Sequence, residues 1–146
     1  MKKACSYAVE IPADTRHIGC SVKEILCFFQ MHGVIEEDIL FELKVILNEL
    51  VINAVVHGNK EDKNKWVRIK AGMYAQDKVY IIVEDEGEDY SWSENTCYDV
   101  KGIQKEEVEW FCLNESGRGF VIISSLCDYV KRNKKGNRVM VIKKLR

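Results

Sequence analysis

Glu49, Asn53 and His57 stand four residues apart in the run Leu47-Asn48-Glu49-Leu50-Val51-Ile52-Asn53-Ala54-Val55-Val56-His57-Gly58. At about 100° per residue, that spacing puts a carboxylate, an amide and an imidazole on one narrow stripe of a helix. The stripe borders the apolar face set by Ile39, Leu43, Ile46, Leu47, Leu50 and Ala54. Polar groups held at a core edge are costly unless they find partners. Either they form the polar shoulder of an amphipathic helix, or a ligand partners them. An amide oxygen such as that of Asn53 is a hard ligand suited to Mg²⁺, which keeps several waters and bridges phosphate oxygens. Two further signals point the same way. Asp85-x-Gly87 follows an apolar strand pattern and offers an acceptor for the exocyclic amino proton of a purine. Gly117-x-Gly119 opens a helical pattern, and bare backbone N–H groups at a helix N-terminus suit phosphate. Singly, each motif is an ordinary turn or cap; together and in this order they suit a nucleotide and its metal.

The elements that must position these residues follow from hydrophobic periodicity. Tyr7 to Ile11 alternates and ends at Pro12, the only proline, which predicts a short strand. Asp14 or Thr15 can cap a first helix carrying Ile18, Val22, Ile25, Leu26 and Phe29 and closed by Gly33. Glu36, Glu37 and Asp38 suit the positive end of a second helix, which holds the polar stripe and stops at Gly58. Asn59 to Lys65 reads by composition as a solvated charged loop. Trp66 to Tyr74 and Lys78 to Glu84 form a hairpin, with Val79 to Val83 apolar enough for a central strand. From the end of the acidic run at Asp89 to about Ser116 the pattern dissolves, with one short helix around Glu106 to Leu113, and so long an irregular segment suits a functional flap. A third helix over Phe120 to Leu126 and a closing hairpin, Asp128 to Asn133 with Val139 to Lys144, complete the order. The expectation is one α+β domain over residues 1–146, a two-layer α/β sandwich whose mixed, mostly antiparallel sheet carries helices on one face.

With 146 residues, 47% hydrophobic and 31% charged, the chain is long enough to bury a core without staples. A net charge of −1 supplies no basic field for nucleic acid or an anionic membrane, so neither is expected as a partner. The six cysteines form no C-x-x-C pair, several fall in apolar runs where a thiol behaves as a small core residue, and all read as reduced in a cytoplasm. The three histidines are too scattered for zinc. No apolar run reaches bilayer length.

On Asn48-Glu49-Leu50-Val51-Ile52-Asn53-Ala54 with His57-Gly58, Asp85-x-Gly87 and Gly117-Arg118-Gly119-Phe120, the chain resembles the Bergerat-fold ATP-binding domains shared by gyrase, heat-shock chaperone, histidine kinase and mismatch-repair proteins. Within them it is most similar to the single-domain anti-sigma-factor serine kinases, over about Tyr7 to Lys144. The resemblance implies that Asn53 holds Mg²⁺, that Glu49 is the general base, that His57 belongs to the same nucleotide-binding box, and that Asp85 contacts adenine. It implies that Gly87 lets the chain pass close to the base, that Gly117, Arg118, Gly119 and Phe120 make the phosphate-side turn, and that about 88–118 is an ATP lid. It also implies a sigma factor and an anti-sigma-factor antagonist as protein partners, and leaves a homodimer open. Three departures from the family pattern bear on nucleotide affinity and turnover: Asp89 in place of a glycine, Glu115 near where some relatives carry arginine, and Asn137 where a threonine often follows the glycine. The competing functions are a nucleotide-tuned binding module without transfer, a histidine-kinase catalytic domain acting in trans, and a domain that binds no nucleotide.

Overall fold

The computed structural model describes residues 6–33, 35–75, 77–87, 115–133 and 136–145, with 115–120 as backbone only. Strand β1 (Ser6–Pro12) leads through a short 3₁₀ turn (Thr15–His17) into α1 (Ile18–His32). Helix α2 (Glu37–Ile52) runs on into a π-helical segment, Asn53–Gly58. Strands β2 (Trp66–Tyr74) and β3 (Lys78–Glu84) precede α3 (Glu115–Leu126), and β4 (Tyr129–Arg132) and β5 (Arg138–Lys144) follow it.

The five strands lie in the order β1-β2-β3-β5-β4, and every pairing is antiparallel. The expected two-layer sandwich is therefore present, at the antiparallel limit of the mixed sheet. Strand β3 is central, as its run of Val79, Ile81 and Val83 requires: all three are buried, while Lys78, Tyr80, Ile82 and Glu84 are half-buried on the other face. A period of two with one buried face is what a sheet covered on one side produces. The core lies between that face and the helices, where Ile25 and Phe29 of α1, Leu43, Ile46 and Leu47 of α2, Ile69 and Ile81 are fully buried. Each such side chain contributes about 1.5–3 kcal/mol by leaving water.

Asp14, not Thr15, is the capping residue, but of the 3₁₀ turn that leads into α1: its Oδ1 accepts from Arg16 N–H at 3.0 Å, while α1 itself begins after His17 with no side-chain cap bond. The Arg16 guanidinium also binds the Asp14 carboxylate through both oxygens and holds its pKa well below the usual carboxylate range. Helix α1 ends at His32, with Gly33 after it as expected. Cysteine usage is divided. Cys127 is buried and its thiol is pushed up to about 12 by desolvation, whereas Cys20 and Cys27 are exposed on α1. Residues 88–114, including Asp89, most of the flap and the expected helix at 106–113, lie outside the described residues. Residues 115–118, placed in the flap from sequence, form the start of α3 instead.

Candidate functional site

The organising helix does not run as one regular α-helix to Gly58. Asn53 still makes α-type bonds, its N–H donating to the carbonyls of Glu49 and Leu50. Beyond it the turn widens, and Asn59 N–H reaches back five residues to Ala54 O at 2.9 Å. Glu61 N–H then reaches Val55 O at 2.9 Å, and Lys60 and Glu61 take left-handed backbone with φ of 52° and 57°. A π-helical turn of this kind shifts side chains off the 100° rule and recurs at functional sites. The stripe predicted from spacing is thus regular from Glu49 to Asn53 and displaced at His57.

Asn53 and Asp85 line one cavity of about 30 Å³, together with Leu50, Val83, Ile123, Arg132 and Asn137. Helix α2, the end of β3, α3 and the β4–β5 hairpin meet there. Glu49, His57 and Gly87 do not line it. Glu49 lies one helical turn before Asn53 and is half-buried, as is His57. Gly117, Arg118, Gly119 and Phe120 fall within the first half of α3 and not before it, so the expected turn is helical backbone; their side chains are outside the described residues.

Gly87 is explained by a close approach. A Cβ added there would overlap the carbonyl oxygen of Gly58, which is backbone and cannot swing aside. Asp85 is 5% exposed, and its Oδ1 accepts from Gly87 N–H at 2.7 Å, closing a local turn that aims the end of β3.

Two asparagines that sequence reasoning did not assign to the site hold this turn. Asn59, read from composition as part of a solvated loop, is 1% exposed. Its Oδ1 accepts from Glu86 N–H at 2.8 Å and its Nδ2 donates to Trp66 O at 3.0 Å. Glu86 completes the junction by accepting from Trp66 N–H at 3.1 Å. The rest of that loop, residues 60–64, is exposed as expected. Asn137, noted only as a departure from a family pattern, donates from Nδ2 to Asp85 O at 3.1 Å and accepts from Asn133 Nδ2 at 2.7 Å. Its own carbonyl accepts from Asp85 N–H at 2.8 Å. Arg132, 5% exposed at the cavity wall, was also unassigned. The one signal for the asparagines was their residue type next to glycine, Gly58-Asn59 and Gly136-Asn137.

The donor set can be tested for a metal. Among the described residues no three His, Cys, Asp or Glu side chains cluster to hold an ion. Half-buried at the cavity, Asn53 offers one amide oxygen, a hard donor of the kind Mg²⁺ takes.

Comparison with known proteins gives the family. A model of the histidine kinase-like ATPase domain matches residues 11–143. The chain is 29% identical over 147 aligned positions to the serine-protein kinase RsbW of Bacillus subtilis (strain 168), covering 99% of this chain and 89% of that one. It is 32% identical to the anti-sigma F factor of Clostridium perfringens (strain SM101 / Type A) over 145 positions, 94% of each chain. A serine-protein kinase RsbW from Staphylococcus aureus (strain JH9) is 29% identical over 122 positions, 84% of this chain and 75% of that one. A match over residues 11–143, from β1 to β5, makes this chain a member of the histidine kinase-like ATPase domain family.

Proposed function

We propose that this protein is an ATP-binding anti-sigma factor that sequesters a sigma factor and phosphorylates a serine or threonine on an anti-sigma-factor antagonist. Support comes from the names of its relatives, serine-protein kinase and anti-sigma F factor, which match 94% or more of this chain in two cases. The observation that carries the reading is the meeting of Asn53 and Asp85 at one cavity.

In this reading Asp85, fixed by Asn137 and by Gly87 N–H, accepts the amino proton of adenine. Gly87 lets the chain pass against the Gly58 carbonyl and so sets the strand end from which Asp85 meets the base, and the first turns of α3, which carry Gly117, Arg118, Gly119 and Phe120, offer the positive helix end to the phosphates. His57, in the π-helical turn, belongs to the same box. Asn53 would hold Mg²⁺ through its side-chain oxygen, and the ion would supply charge neutralisation at the phosphate oxygens. Glu49, one turn from Asn53, takes the proton of the attacking hydroxyl as that oxygen bonds to the γ-phosphorus and the bond to the bridging oxygen breaks, releasing ADP. Residues 1–146 are a single domain in this reading. The cytoplasm is the compartment this activity requires; among the described residues no helix is long and apolar enough to cross a membrane.

Replacing Glu49 by alanine tests the assignment. Transfer of labelled phosphate to the antagonist should fall by about 10²–10⁴-fold while ATP binding is retained. Full transfer by Glu49→Ala overturns the base assignment, and label that never reaches the antagonist with wild-type protein overturns the kinase reading.

A further inference from the structure

Strand β5 alternates so that Val139, Val141 and Lys143 share the helix-facing side. A lysine there is unexpected, and it is 6% exposed. Its Nζ lies 2.7 Å from Glu42 Oε2 on α2 and donates at 2.6 Å to the carbonyl oxygen of Leu126, the last residue of α3. One cation on the sheet therefore ties the C-terminal end of α3 to α2. The geometry suits its charge, since a cation at a helix C-terminus meets unsatisfied carbonyls and the negative end of the dipole.

We propose that Lys143 is a positioning residue for the nucleotide's phosphates, acting through α3. The inference rests on the reading that the first turns of α3, at Gly117 to Phe120, face those phosphates. Helix α3 has 12 residues, hence a length of about 18 Å. A tilt of about 5° at its C-terminal end would move its N-terminal end by about 1.5 Å, and a misplacement of about 1 Å can cost about 10²-fold in a positioned site. Stability alone gives little reason for the lysine, because a buried ion pair can often be exchanged for apolar side chains without loss. An apolar residue at 143 would fill the space but would leave the Leu126 carbonyl without its donor.

The test compares ATP with adenosine by titration calorimetry in the wild type, Lys143→Met, the apolar pair Lys143→Met with Glu42→Leu, and Lys143→Arg. Both Met-containing proteins should bind ATP about tenfold more weakly and adenosine within about twofold of wild type, while Lys143→Arg keeps the wild-type ratio. The double variant removes the unpaired carboxylate and separates positioning from folding. Equal losses for ATP and adenosine, or no loss for ATP, overturn the role of Lys143 while leaving the phosphate reading of α3 standing. A wild-type protein that binds ATP no better than adenosine overturns that reading, and the lysine's role with it.

Discussion

Replacing Asn59 by alanine should cost more than its place in a charged loop suggests. The side chain makes two hydrogen bonds, to Glu86 N–H and Trp66 O, from a position that is 1% exposed. Each buried polar group left without a partner costs about 1–3 kcal/mol. Glu86 and Trp66 are themselves exposed, so water reaches part of the gap and the lower half of that range applies to each. The sum is about 2–4 kcal/mol, which for a chain of this size lowers Tm by about 5–15 °C. Urea unfolding gives the free energy, and calorimetry gives the ligand effect. Because Glu86 adjoins Asp85, ATP affinity should fall as well. Asn59→Asp sharpens the argument, since it keeps the acceptor for Glu86 N–H but turns a second oxygen toward the Trp66 carbonyl. When protonated, that group can still donate. Its folded pKa should therefore lie above the unfolded value near 4, so the stability it contributes is present below about pH 4 and lost as pH rises through the folded value. A loss below about 0.5 kcal/mol for Asn59→Ala, or an Asn59→Asp deficit that shrinks as pH rises, refutes the clamp.

Three further outcomes follow from the same contacts. Gly87→Ala drives a Cβ into the Gly58 carbonyl and should cost about 1–3 kcal/mol, with loss of the thermal shift on adding Mg²⁺-ATP; an unchanged Tm and an unchanged shift contradict the close approach. The Asp14 pKa is depressed by Arg16, so its contribution to stability is present above the usual carboxylate range and is lost as pH falls through about 4 and below. Asn at position 14 keeps the cap but should flatten that acid limb in urea unfolding at pH 3–5; an unaltered acid limb counts against the pair. Ser124 Oγ is buried with no hydrogen-bond partner among the described residues, so Ser124→Ala should leave stability unchanged or raise it by up to about 1 kcal/mol, and a loss of more than about 1 kcal/mol would show a bond the hydroxyl makes.

The layers were legible in the sequence because each element has one dry face. In β3 the buried set Val79, Ile81 and Val83 repeats every two residues, and in α2 the buried set Leu43, Ile46, Leu47 and Leu50 repeats at three and four. A one-residue slip in either would expose the whole set, so the pattern and the register are the same information. Periodicity failed where a helix changed its own pitch. Val55 and Val56 keep the run beyond Asn53 apolar, and a count at 3.6 residues per turn has no term for the extra residue of a π-helical turn. Lys143 shows a related limit, because nothing in the strand's own pattern says that Glu42 and the end of α3 lie above it.

The candidate site was legible by residue type and illegible by partner. Asn53, Asp85 and Gly87 could be picked out because an amide on a helix and an Asp-x-Gly at a strand end each have a local geometry that suits a ligand. Asn59 and Asn137 carry the same chemistry, but their partners are 27 and 52 residues away in sequence, at Glu86 and Asp85. Local composition cannot register such a bond; charged neighbours made one asparagine look solvated, and a family pattern made the other look like a defect. A threonine at 137 would have one hydroxyl, whereas the asparagine present donates to Asp85 O and accepts from Asn133 at once. The departure is therefore a different way of bracing the same strand end, and the turn that aims Asp85 is held from both sides by amides.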